Sequence, residues 1–209
     1  MASHDRLIDV ARRLGHRFSH DAVRAEDRGA ADGEDAVWPA AEGFSLAGAT
    51  DWLNSPPLTG ADLRGRVVLV DFRTYTCINW LRSLPHVRAW EEAYRDSGLV
   101  VVGVHAPEFS FEHDVDNVRR AMRDRSVGHP VAIDGHFAVW RSFHNHFWPA
   151  RYLVDAGGRL RHHSFGEGGY EEDETVLRQL LVEAGAGSGP RSPAPASPRS
   201  CRRTVSSSS

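Results

Sequence analysis

The sequence predicts an α/β domain with a mixed central sheet flanked by helices. Three stretches carry that reading. Residues 67–85, VVLVDFRTYTCINWLRSLP, pass from β-branched and apolar residues through a short polar turn into a helical pattern; the order is strand, loop, cysteine, helix. Residues 99–104 form a second apolar block of buried-strand character. Residues 148–165 place Trp148-Pro149 before an apolar strand, then a turn and a partner strand, as in an antiparallel hairpin.

The remaining elements follow in order. Leu7, Val10, Ala11, Leu14 and Phe18 recur at helical spacing and predict an amphipathic helix over residues 3–18, capped by Ser3 or Asp5. That helix reads as packed on the domain edge, with partner binding as the alternative. Residues 19–42 are polar, acidic and rich in Gly and Ala, the composition of a linker. The domain is expected over 43–185, with 1–42 before it and a Pro/Ser/Arg-rich stretch, 186–209, whose composition predicts disorder. Within it, 51–58 reads as an extended edge or short hairpin and 62–66 as a turn. A helix from Cys77 to about residue 97 repeats Leu81, Leu84, Val87, Trp90 and Tyr94 on one face. A helix over 111–127, a short strand at 130–133 and a helix over 137–146 come next. The strand at 152–154, a turn at Ala156-Gly157-Gly158, the strand 159–165 and a helix over 170–184 complete the domain.

Composition narrows the function. The net charge of −3 gives no electrostatic case for nucleic acid or an anionic membrane. No lysine is present, which removes Schiff-base chemistry. Two cysteines, Cys77 and Cys201, do not make a disulfide framework. No apolar run near residue 1 is long enough for a signal peptide or a membrane span, so a cytoplasmic setting with reduced thiols is expected.

Cys77 is the first candidate for chemistry. A cysteine at the first turn of a helix meets unpaired backbone N–H groups and the positive end of the helix dipole, which favour a thiolate. Its pKa is expected below the ordinary value of about 8.5, more so with Arg73 nearby. The bland alternative is a buried inert thiol.

Asp71 before Cys77, Pro85 after it, Trp148-Pro149 before a strand, and the runs CINW-x-R, GVHAPEF, WPARYLVD and RHHSFGEG together resemble the thioredoxin-like superfamily. Within it they are most similar to the redoxin or TlpA-like branch, of the alkyl hydroperoxide reductase and thiol-specific antioxidant type. The likeness extends to the thioredoxin-like domain of cytochrome-c-biogenesis thiol reductases. It covers residues 43–185 and implies a thioredoxin fold with a redoxin-type strand and helix insertion. It also implies thiol-disulfide exchange, antioxidant activity and a part in cell redox homeostasis. One departure stands out: the family's C-I-N-C reads C-I-N-W, with Trp80 in place of the resolving cysteine. A second is Arg73, where the family usually has tryptophan.

The resemblance assigns the rest of the site. Cys77 would be a single catalytic thiol acting on disulfides or peroxides, its mixed disulfide or sulfenic acid resolved only by an external thiol reductant. Asp71 matches the buried acid that moves a proton to the second cysteine, a task without a recipient here; tuning of Cys77 or leftover structure remain. Arg73 would stabilise the thiolate, or else pair with Asp71 or face solvent. Thr74-x-x-Cys77 resembles half of a peroxiredoxin signature, in which a threonine and an arginine orient the peroxide. Pro149 is expected to be cis, with Tyr75, Trp148, Ala150, His105 and Glu108 bordering a substrate groove. No cofactor and no metal is expected, although His144, His146, His162 and His163 invite the question. Partners would be thiol or disulfide proteins, small-molecule thiols or peroxides, with neither nucleic acid nor membrane. The alternative function is a non-catalytic binding module that kept the fold and lost dithiol activity. Cys201, among Arg199, Arg202 and Arg203, could reach Cys77 along an extended tail of roughly 50 Å or be incidental.

Overall fold

Seven consecutive residues, Val67–Arg73, form β2, and every one is buried. Such a run without polar alternation suits a strand covered on both faces, and β2 is central. The computed structural model describes residues 44–187. The expected helix at 3–18, the linker and Cys201 lie outside the described residues.

The sheet has six strands in the order β1-β4-β3-β2-β5-β6. They are β1 (Asp51–Leu53), β2, β3 (Leu99–His105), β4 (Val131–Ile133), β5 (Ala150–Val154) and β6 (Leu160–Phe165). β2 runs parallel to β3 and antiparallel to β5. β1 pairs antiparallel with β4 and so becomes an edge strand. The helices are α1 (Ile78–Tyr94), α2 (Val115–Asp124), α3 (Ala138–Ser142) and α4 (Tyr170–Gly187), with a 3-10 turn at Ser110–His113. This is the thioredoxin-like fold that the resemblance implies.

Several bounds differ from the sequence reading, each for a local reason. Arg73 belongs to β2 rather than to the turn after it, because it pairs with His105 of β3. The expected helix over 111–127 is split. Asp114 accepts hydrogen bonds from the N–H groups of Asp116 and Asn117, a cap that starts α2 afresh. α3 is only 138–142; its start is held by the Asp134 carboxylate, which accepts from Val139 and Trp140 N–H. At the β5–β6 turn Gly158 sits at φ 84°, where a side chain would be strained. Asp155 accepts from the N–H groups of Gly157 and Arg159 across the same turn.

Alternation along β2 sends its side chains to two layers. Val67 and Leu69 pack with Val87, Trp90, Leu177 and Leu180 of α1 and α4. Phe72 points the other way, into an aromatic group with Trp140, Phe143 and Tyr152 at ring distances of 5.1–5.8 Å. α1 has no acidic residue in its first turn, no basic residue in its last and no side-chain cap. Packing holds it: Trp80, Leu84, Val87 and Trp90 are buried at three- and four-residue spacing, on both sides of Pro85. No described helix is long and apolar enough to cross a membrane.

Candidate active site

β2 ends at Arg73, and Thr74 to Thr76 turn the chain so that Cys77 becomes the N-cap of α1, with φ −64° and ψ 115°. The Cys77 N–H donates to the Thr74 carbonyl at 3.2 Å, which closes the turn. The thiol is partly buried and free of any disulfide. Its S–H donates to the Trp148 carbonyl at 3.9 Å, so the segment before β5 lies directly against the sulfur. The Trp148–Pro149 peptide within that segment is cis. Trp148 is fastened from behind, its indole donating to the Ala106 carbonyl at 3.0 Å and its ring 4.3 Å from Trp140.

Electrostatics at the thiol differ from the expectation. Burial pushes the Cys77 pKa up; the Trp80 and Asn79 N–H groups pull it down; Glu108 and Glu112 push it up again, and the net direction is up. The helix start therefore acts in the expected sense but is outweighed by desolvation and two carboxylates.

The Arg73 guanidinium is not a partner of the thiolate. It is fully buried, with Nη1 donating to Asp71 Oδ2 at 3.3 Å and to His129 Nε2 at 3.0 Å. Its guanidinium lies 5.0 Å from the Trp80 ring centre. Because arginine can only donate, His129 Nε2 must accept, so the His129 proton sits on Nδ1 and donates to Glu91 Oε2 at 3.0 Å. Burial lowers the His129 pKa, as does the neighbouring Arg73 charge, in keeping with a neutral ring. Of the three readings of Arg73, the pairing with Asp71 is the one the fold adopts, and burial rules out a solvent-facing guanidinium.

Trp80 is fully buried and donates its Nε1–H to Asp71 Oδ2 at 3.0 Å. Asp71 thus accepts a hydrogen bond from an indole where the family has a thiol. Opposite Asp71 in the parallel register stands Gly103. A Cβ there would lie 2.0 Å from Arg73 Nη2, so the bare backbone of Gly103 is what leaves room for the guanidinium.

Four expected groove or peroxide residues are enclosed instead. His105 is fully buried, its Nε2–H donating to the Glu112 carbonyl at 3.0 Å, and burial lowers its pKa to about 4. Tyr75 packs in the core beside Trp80 and Leu84; its ring stacks on His105, and burial raises its pKa to about 12. Ala150 is buried between Phe72 and Phe165 in the sheet. Thr74 is buried, and its hydroxyl has no protein hydrogen-bond partner. The first three lost their exposure to sheet pairing and aromatic packing, neither of which a local motif reveals. Glu108 is exposed and Trp148 partly so; these two remain beside the thiol.

Glu112 is a site residue the sequence reading missed. Its buried carboxylate accepts from the Thr76 hydroxyl at 2.5 Å and from the Glu108 and Phe109 N–H groups at 2.7 and 2.9 Å. It ties the loop after β3 to the residue before Cys77. The only signal in the sequence was a glutamate three residues into a turn. Ile78, Phe111, Phe147 and Phe165 are large exposed apolar residues, and the last two have rings 5.0 Å apart. Among the described residues no three His, Cys, Asp or Glu gather into a metal site.

No family model matches the chain. Protein DipZ of Mycobacterium tuberculosis (strain CDC 1551 / Oshkosh) is 48% identical over 145 residues, covering 68% of this chain and 21% of that protein. The chain thus spans about a fifth of the length of the first such relatives. Thiol-disulfide oxidoreductase YkuV of Bacillus subtilis (strain 168) is 27% identical over 138 residues, covering 66% of this chain and 93% of that one. The solution structure of a thioredoxin-like protein in the oxidized form superposes with a TM-score of 0.61 and 28% identity, covering 68% of this chain and 95% of that one.

Proposed function

We propose, for a chain that is thioredoxin-like in fold and has thiol-disulfide oxidoreductases among its homologues, that Cys77 carries out one-thiol exchange with disulfides. The observation that carries this is the pairing of a partly buried thiol with the Trp148 carbonyl while Trp80 fills the position one turn further along. The Cys77 thiolate attacks one sulfur of a substrate disulfide. The Cys77–substrate S–S bond forms as the substrate S–S bond breaks, and the second substrate sulfur leaves as a thiolate that solvent protonates. No second thiol lies among the described residues. In this reading an external thiol reductant attacks the mixed disulfide, takes the substrate sulfur into a new disulfide and returns Cys77.

The surroundings favour a disulfide over a peroxide. Peroxide activation asks for a cation and a hydroxyl at the thiolate. Here Arg73 is committed to Asp71 and His129, Thr74 is buried, and the leading charges on Cys77 are carboxylates. The exposed Ile78, Phe147 and Phe165 suit an apolar polypeptide around the disulfide.

A second reading, a binding module without turnover, draws on the raised Cys77 pKa, since less thiolate means slower exchange. Capture under non-reducing conditions separates the two. Exchange retains partners covalently through Cys77, releases them on added thiol and loses them in Cys77→Ser. A binding module keeps its partners in Cys77→Ser and is indifferent to reductant.

A further inference from the structure

We propose that Arg73 is a positioning residue for Cys77: through Asp71 and the Trp80 side chain it holds the first turn of α1, and with it the N-cap Cys77, so that the sulfur stays at the positive end of the helix. The inference rests on Cys77 being the reacting thiol.

The links are continuous. Trp80 donates to Asp71, Arg73 donates to Asp71 and to His129, and His129 donates to Glu91. Both ends of this chain are on α1, Trp80 in its first turn and Glu91 near its last, with Pro85 between them. Pro85 supplies no N–H, so the helical ladder is interrupted where it would otherwise join the two halves. No side-chain cap fixes the start of α1. The buried polar chain therefore adds to the packing of α1 by tying both halves to the end of β2, and Gly103 keeps the space for it.

Trp80 joins this chain to the thiol. Its side chain is held by Asp71, and Cys77 is the N-cap of the same turn, its carbonyl accepting from the Leu81 N–H at 3.0 Å. Arg73 thus acts on the sulfur through the helix, not as a neighbouring charge. A guanidinium buried with its Nε and Nη2 lacking protein partners is otherwise an expensive residue to keep in a core.

The test follows alkylation of the Cys77 peptide by iodoacetamide from pH 6 to 10 in wild type, Arg73→Met, Trp80→Phe and the double variant. A first turn that shifts away from the sulfur takes the positive end of the helix with it and lowers the thiolate fraction, so alkylation at pH 7 is expected to slow by about three- to tenfold in each single variant. The double variant is expected to be no slower than the singles, because the two residues act along one path. Arg73→Lys, which keeps a cation beside Asp71, is expected to recover part of the rate. Folded variants with a lower unfolding midpoint and an unmoved pH profile would make Arg73 scaffold only and overturn the proposal. If Arg73→Met does not fold, Trp80→Phe, which keeps an aromatic ring and loses only the donor, decides by the same criterion. A wild-type Cys77 that does not alkylate sinks the exchange reading itself, a separate result from an unmoved profile in the variants.

Discussion

The Trp80 indole N–H meets the Asp71 carboxylate at 3.0 Å, with both residues fully buried. Where a dithiol site keeps a reactive group over its buried acid, this chain has a structural hydrogen bond, and the substitution bears on stability as much as on chemistry.

Trp80→Cys puts a thiol one helical turn from Cys77, so reduction of insulin disulfides is expected to appear in the variant, followed by turbidity. The same change empties a core site and removes the donor to Asp71. A loss of about 3 kcal/mol or more is expected from the denaturant midpoint.

Cys77 itself is expected to alkylate more slowly than a free cysteine at pH 7, because burial and two carboxylates outweigh the helix start. Glu108 is the exposed member of that pair. Glu108→Gln removes one negative charge and is expected to speed alkylation about two- to threefold, with less effect at high salt. An unchanged rate would remove Glu108 from the thiol's surroundings.

Stability should depend on pH through His105. Its folded pKa is lowered to about 4, whereas the unfolded value is about 6.5. Between the two the unfolded chain binds the extra proton, so stability rises with pH and is lost as pH falls from about 6.5 to 4. The loss attributable to this ring is about 3 kcal/mol. His129, also lowered by burial, acts in the same direction. Urea midpoints across this range should fall steeply in wild type and less steeply in His105→Gln.

Much of this arrangement is legible in the sequence, but only where it is local. The run Val67 to Phe72, the cysteine at a helix start and the Trp-Pro before a strand all depend on neighbours within a few residues. Gly103, His129 and Glu112 do not. Their roles come from strand register and from a loop returning over the site, and nothing near them in the chain announces either. Arg73 is left open for a related reason. A charged residue at a strand end reads as solvent-facing, as a partner for the thiolate or as a partner for Asp71, and only the gap at Gly103 and the acceptors Asp71 and His129 decide that it turns inward.

Gly103→Ala is expected to cost several kcal/mol, since its Cβ would fall 2.0 Å from Arg73 Nη2 and the buried ion pair would break, at roughly 3–5 kcal/mol. In an Arg73→Met background the same change should cost far less. Equal costs in both backgrounds, measured by urea unfolding, would show that the glycine is needed for something else.

The empty flank of Gly103 also ties the histories of two strands together. A descendant that keeps Arg73 has no room for any larger residue at 103, while one that replaces Arg73 gains that room and loses its hold on Trp80. Positions 73 and 103 therefore form a two-letter signature: arginine at the first demands glycine at the second, and a chain that breaks the rule must seat its guanidinium elsewhere.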